Sequence, residues 1–234
     1  MSYYEKLISE TYNQDYDDEL NSREIINNLN IEMQNLKKQI ICLCEKLTDI
    51  RVRESKKICL ELQKTLSQLG ILNSKLEIKF KKKLNFDCNG QDEIEFFIST
   101  NIGEDLKPLA KFISGGEISR IMLAIKSIFV QFDNNSTLVF DEIDTGIGGK
   151  TAHCVAEKLK KISYDSPIIC ITHLAQIAAV ADQHFLVQKY FDADITKIKI
   201  SLLDKNQRLN ELARMLSGKD ITENILKTAR ELLF

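Results

Sequence analysis

Three short stretches of this 234-residue chain carry residue types that could act on a phosphorylated ligand. Ser114-Gly115-Gly116-Glu117 stands just before an apolar helical stripe. A hydroxyl and the backbone N–H groups of two glycines at a helix start suit an anion, helped by the helix dipole. An N-cap followed by a flexible turn would read the same way. Leu138-Val139-Phe140-Asp141-Glu142 is an apolar run ending in two carboxylates. At the end of a buried strand Asp141 can hold Mg²⁺, directly or through water. Strand alternation turns Glu142 the other way, where it could polarise an attacking water. The pair could also do no more than cap the following loop. Ile171-Thr172-His173 sets a histidine just past a second buried run. Strand C-terminal ends line the ligand crevice of open α/β sheets, so His173 and Glu142 are expected to share one mouth. His153 and His184 are read as structural.

A glycine-rich loop, Asp144-Thr145-Gly146-Ile147-Gly148-Gly149, directly follows the two acids. Its end, Gly148-Gly149-Lys150-Thr151, imitates the end of a phosphate-binding P-loop. That pattern needs a glycine at position 144, where this chain has Asp144, and no GxxxxGK[ST] occurs elsewhere in it. The lookalike is therefore read as an ordinary loop entering a helix.

These stretches need a frame that brings strand ends and a helix start together. From Pro108 onward strands and helices alternate. A helical stripe runs over Ile118, Ile121, Met122, Ile125, Ile128 and Phe129, followed by a strand at 137–140 and a helix near 151–162. A strand at 167–171 and a helix near 174–181 come next, then strand-like 185–187 and 197–200 and two closing helices, 208–216 and 222–232. Near-continuous apolar strands separated by helices predict an α/β layer with a largely parallel sheet. Before it, KLEIKFKKKL (75–84) and 94–98 read as strands. The cluster Lys79, Lys81, Lys82, Lys83 suits phosphate contact or a solvated strand edge.

The first 69 residues follow other rules, with no Gly and no Pro among them. Ile25, Leu29, Leu36, Ile40, Leu43, Leu47 and Ile50, then Ile58, Leu62, Leu66 and Leu69, recur at spacings of a helical seam. The spacing predicts a helix from about residue 18 to 69, preceded by a frayed start. So narrow a seam on so long a helix wants a partner helix, as in a coiled coil. A place within a compact bundle is the alternative.

Composition sets outer bounds. The net charge is −2, with 44% hydrophobic and 28% charged residues, so no global charge selects a nucleic acid or a membrane. The six cysteines lack CxxC spacing and read as reduced thiols, not as a disulfide framework or a zinc site. No stretch approaches 18 uninterrupted apolar residues, and the start has no apolar leader core; a chain neither secreted nor membrane-spanning is expected.

Taken in order, FISGGEISR, TLVFDEIDTGIGG and ITHLAQIAAVADQHFLVQK resemble the signature motif, the Walker B strand with D-loop, and the switch-histidine segment of ABC-type ATPase heads in the SMC-like group. The flanking STNIGEDLKPLAKFISGGEISRIMLAIK and RLNELARMLSGKDITENILKTAREL narrow the resemblance to the RecN family of bacterial DNA repair ATPases. It covers residues 45–234 closely and the earlier helix in style alone. The resemblance implies the C-terminal lobe of an ABC/SMC-type head at 76–234, preceded by a returning coiled-coil arm at 1–75. It implies ATP and Mg²⁺ as ligands. Ser114, with Gly115, Gly116 and Glu117 of the same motif, would meet the γ-phosphate of ATP held by a second head. Asp141 would assist Mg²⁺, Glu142 would act as general base, Asp144 would bridge the heads, and His173 would sense the γ-phosphate. It further implies double-strand break repair in the cytoplasm, associated with the nucleoid, and DNA as a partner. A second head or an N-terminal half bearing the Walker A loop completes the set of partners.

Family members begin with a Walker A lobe, and this sequence has no such loop. Negligible hydrolysis by the chain alone is expected, restored by an N-terminal half. A non-catalytic interaction fragment of the same family, or a head half of another SMC-like protein, are the alternatives. An open seam and an unfinished sheet predict self-association of the chain expressed alone.

Overall fold

The computed structural model describes residues 3–111, 115–129, 136–192, 195–218 and 220–233, with side chains from residue 21 onward except at 191 and 192. By its contacts the chain divides into two compact units, Met1–Ser55 with Phe80–Ile94, and Lys56–Lys79 with Glu95–Phe234.

Helix α1, Tyr3–Gln68, contributes to both units. It starts well before the expected residue 18. Tyr, Asn and Asp are mediocre helix formers that cost only tenths of a kcal/mol each, and neither Gly nor Pro interrupts them. Its end is sharply defined. Gly70 takes φ +86°, its N–H donates to Ser67 O, and the N–H of Ile71 donates to Leu66 O. These two bonds satisfy carbonyls orphaned at the helix end, and Ile71 and Leu66 are both buried beside them.

In the first unit the turn joining β1 (Lys75–Asp87) to β2 (Gly90–Ser99) is fastened to α1. Asp92 accepts from Thr48 Oγ1 at 2.7 Å and from the Arg51 guanidinium at 2.8 Å. Arg51 also donates to the Asn89 carbonyl at 2.9 Å. Most of the apolar seam between residues 25 and 43 remains exposed.

The second unit holds the main core. Leu62, Leu66 and Leu69 of α1 pack with Ile98 of β2, Ile121 and Leu123 of α2 (Gly115–Phe129), and Val155 and Leu159 of α3 (Gly149–Ile162). Two short strands, β4 (Leu138–Phe140) and β5 (Ile168–Cys170), pair in parallel, Leu138 opposite Ile168 and Phe140 opposite Cys170. A second cluster joins α4 (Ala175–Ala179), α5 (Lys205–Ser217) and α6 (Glu223–Leu233) around Leu212, Ala213 and Ala229. Asp204 and Gln207 close a reciprocal capping box at the start of α5. Arg208 of α5 donates to the carbonyls of Ala178 and Ala179, which satisfies the C-terminus of α4.

Parallel pairing among the described residues is confined to β4 and β5. β2 pairs with β3 (Lys107–Pro108) antiparallel, and β6 (Phe185–Asp192) forms an antiparallel hairpin with β7 (Ile195–Leu202). The expected α/β lobe is seen, with its parallel pair at β4–β5 and antiparallel pairing at β2–β3 and β6–β7. Strands β6 and β7 follow each other directly, and a connection without a crossover helix permits only antiparallel pairing. Apolar residues are left in the open on both pairs: Val139 and Ile169 on β4–β5, and Phe185, Val187, Ile200 and Leu202 on the hairpin. No helix is long and apolar enough to cross a membrane, among the described residues. All six cysteines are free thiols.

Candidate nucleotide-site segments

The apolar runs at 138–140 and 168–170 form a parallel pair, so the chain leaves both strands at the same end. The N–H of Ile171 extends the ladder by donating to Phe140 O at 2.9 Å. Residues 141–145 and 171–173 are thereby laid side by side.

Asp144 is where they join. Its side chain is 3% exposed, and Oδ2 accepts from Thr172 Oγ1 at 2.5 Å and from the His173 N–H at 2.7 Å. His173 Nδ1 lies 3.0 Å from the same oxygen. The resemblance gave Asp144 a role between two heads; here the carboxylate is turned inward and holds the histidine segment. Charge-assisted bonds of this kind are about twice as strong as neutral ones. The thiol of Cys170 is pushed up to about 12 by burial first, then by the charges of Asp144 and Asp141.

Strand β4 stops at Phe140, so alternation does not orient Glu142. That part of the sequence expectation is corrected: Glu142 adopts a left-handed backbone with φ +55°. Such a conformation costs a non-glycine residue roughly 1–2 kcal/mol. A turn closes behind it, with the Thr145 N–H donating to Glu142 O at 3.1 Å. The Glu142 carboxylate then reaches Gly115, the first residue of α2, where a Cβ would collide with it. At Gly116 a Cβ would lie 2.9 Å from Thr145 Cβ and 3.1 Å from Glu142 O. Close packing of the carboxylate segment on α2 thus requires glycine at 116, where backbone is met, whereas at 115 the carboxylate tip could swing aside.

The remaining assigned residues are placed as follows. Asp141 is exposed beyond β4, its Oδ1 accepting from the Glu142 N–H at 2.8 Å. Glu117 lies in the first turn of α2, with Thr100 Oγ1 3.5 Å from its Oε2. Ser114 falls outside the described residues. Gly148 caps α3 without a side-chain bond, and Lys150 and Thr151 continue the helix, so the P-loop lookalike is a helix start. His153 sits 3.8 Å from Glu157 on the exposed side of α3. His184 is half-buried, and desolvation, then the charge of Arg208, holds its pKa below the usual imidazole value.

Two residues inside the quoted motif escaped notice. Ser119 Oγ donates to Asp141 O at 2.7 Å. The Arg120 guanidinium donates to Ile143 O at 3.3 Å and Thr145 O at 2.8 Å. Burial lowers the pKa of Arg120, with Glu117 opposing. A charged residue four places after Gly116, within the stripe that becomes the buried face of α2, was the available signal.

No family model matches the chain. Among curated proteins, "DNA repair protein RecN" of Bacillus subtilis is 36% identical over 92% of this chain, and that of Halalkalibacterium halodurans 40% identical over 80%. The Treponema pallidum protein of the same name is 48% identical over 62% of the chain. The chain matches the C-terminal part of the RecN family. It spans 40% of the length of the B. subtilis relative and 34% of the H. halodurans one. Among solved structures, an SMC head domain with coiled coil and joint derived from Pyrococcus yayanosii overlaps 72% of this chain and 30% of its own, at 19% identity and a TM-score of 0.46. An overlap of that size has no bearing on function.

Proposed function

We propose that this chain supplies the C-terminal portion of a RecN-type ATPase acting in DNA double-strand break repair. In this reading residues 76–234 are the head lobe and residues 1–75 the returning arm. A partner lobe carrying the phosphate-binding loop completes the site. The observation that supports it most directly is the double contact of residues 141–145. Glu142 meets the glycine-rich start of α2, while Asp144 holds Thr172 and His173.

Chemically, ATP contributes the phosphoanhydride to be cleaved and Mg²⁺ neutralises charge on its oxygens. Asp141 suits a hard cation through an exposed carboxylate oxygen. Glu142 accepts the proton of the attacking water, and the His173 side chain, exposed and anchored by Asp144, is free to meet the γ-phosphate. Gly115, Gly116 and Glu117 begin the helix whose dipole would face the phosphates of a second head, and Ser114 precedes them in sequence. DNA is the proposed substrate surface of the assembled protein, and the nucleoid its place of action. The uncovered apolar faces of β4–β5 and β6–β7 favour a covering lobe as partner.

The test is ATP turnover by the chain alone and mixed with a P-loop-bearing N-terminal lobe of a RecN relative. Turnover is expected in the mixture alone, and Glu142→Gln should abolish it while nucleotide stays bound. No turnover in either sample, with the chain folded, would refute the reading and favour a non-catalytic fragment.

A further inference from the structure

The segment 141–145 bears three of the carboxylates assigned above, and its backbone is gripped by a single helix. Three alternate carbonyls, those of Asp141, Ile143 and Thr145, accept hydrogen bonds from two consecutive residues of α2, Ser119 and Arg120. One turn earlier on the helix, Gly116 lets Glu142 O and Thr145 approach closely. On its other side the segment is bound to Thr172 and His173 through Asp144.

Arg120 is the unusual member. It is 6% exposed, its Nε has no partner, and loop carbonyls are its hydrogen-bond acceptors among the described residues. An apolar side chain would fill the same space without the cost of desolvating a cation. What the guanidinium adds is the hold on carbonyls 143 and 145. Loop 142–145 includes the left-handed residue Glu142, and such a conformation persists only where its surroundings over-determine it.

We propose that Ser119 and Arg120 are positioning residues that register segment 141–145 on α2, so that displacement of the Gly115–Gly116 end of that helix is carried to the Glu142 carboxylate. The proposal rests on the reading of Glu142 as general base, but its mechanical part does not. Neither residue touches the reacting atoms. Both act through the backbone of the residues that do.

Two measurements decide it. In the chain alone, hydrogen exchange is followed residue by residue for Ser119→Ala and Arg120→Gln. Exchange at the Thr145 amide should accelerate about fivefold or more, while the Ile171 amide, in the β4–β5 ladder, is unchanged. Equal exchange at Thr145 in wild type and both variants would overturn the proposal. In the mixture with the N-terminal lobe, Arg120→Gln should lower kcat about tenfold with KM for ATP within about twofold. Ser119→Ala should do the same more weakly, and Ser119→Thr, which keeps the hydroxyl, should recover the wild-type rate. A fall in Ser119→Thr equal to that in Ser119→Ala, or a rise in KM alone, would also overturn it. Should Arg120→Gln not fold, Ser119→Ala decides, since that side chain is only half-buried. A wild-type mixture without turnover refutes the ATPase reading, whereas the exchange experiment still decides whether the helix holds the loop.

Discussion

The two ends of the apolar seam on α1 share one periodicity and meet opposite fates. Leu36 is 51% exposed, whereas Leu66, on the same helix, is 0% exposed in the core of the second unit. Both belong to runs of three- and four-residue spacing that put apolar groups on one helical face. The spacing thus states that a face must be covered and says nothing of what covers it. At Leu62, Leu66 and Leu69 the covering elements are α2, α3 and β2. Around Leu29, Leu36 and Leu43 no described element takes that place.

Truncation gives the largest contrast. Leu66→Ala should cost about 3 kcal/mol of unfolding free energy by denaturant titration, combining lost transfer energy and a residual cavity. Leu36→Ala should change it by less than about 0.5 kcal/mol, since alanine is a good helix former and little is uncovered. Equal losses at the two sites would break the comparison and mean that the outer seam is already buried in solution, by a second copy of the chain.

The same distinction explains what could be read in advance. The strands at 138–140 and 168–170 and the helix over 118–129 follow from apolar runs and turn residues, which are local signals. The left-handed Glu142 does not, because its conformation is imposed by α2 packed beneath it. Nor does the inward turn of Asp144, whose partners Thr172 and His173 lie about thirty residues away. Arg120 was visible as a charge in an apolar stripe, but its acceptors are backbone carbonyls, which carry no mark in the sequence. The strands at 185–187 and 197–200 were legible, whereas their antiparallel pairing as a hairpin carries no mark in either run. Pairing over distance, not propensity, decided each of these.

An intermediate case lies within the outer half of α1. Cys44 is 6% exposed, and Gly90 at the β1–β2 turn packs against it and against Leu47. Gly90 takes φ +95°, and a Cβ there would lie 3.1 Å from Leu47 Cδ2. Gly90→Ala should therefore destabilise this patch by roughly 1–2 kcal/mol, from backbone strain and the shift forced on Leu47. The readout is labelling of Cys44 by a thiol reagent in a Cys42→Ser background, which should speed up about tenfold, since 1.4 kcal/mol corresponds to a factor of ten. An unchanged rate would show that the turn does not guard this part of the helix.

The gentlest probe leaves the fold alone and compares two neighbours. Cys42 is exposed and Cys44 buried, and two residues of an α-helix are about 200° apart around its axis. With Cys44→Ser and Cys42→Ser examined in turn, the Cys42 thiol should react at the rate of an unstructured peptide. The Cys44 thiol should react at least about tenfold more slowly, because it must wait for local opening. Protection of both thiols would mean that the outer seam has found a partner in solution, since Cys42 sits beside Leu43 on a face that this chain leaves open. Rapid reaction of both would mean that the hairpin turn does not stay on the helix, and the one covered patch of the outer half would then be lost. Protection of Cys44 alone is the outcome that keeps the two halves of α1 distinct, one closed by the chain itself and the other, among the described residues, covered beside the β1–β2 turn.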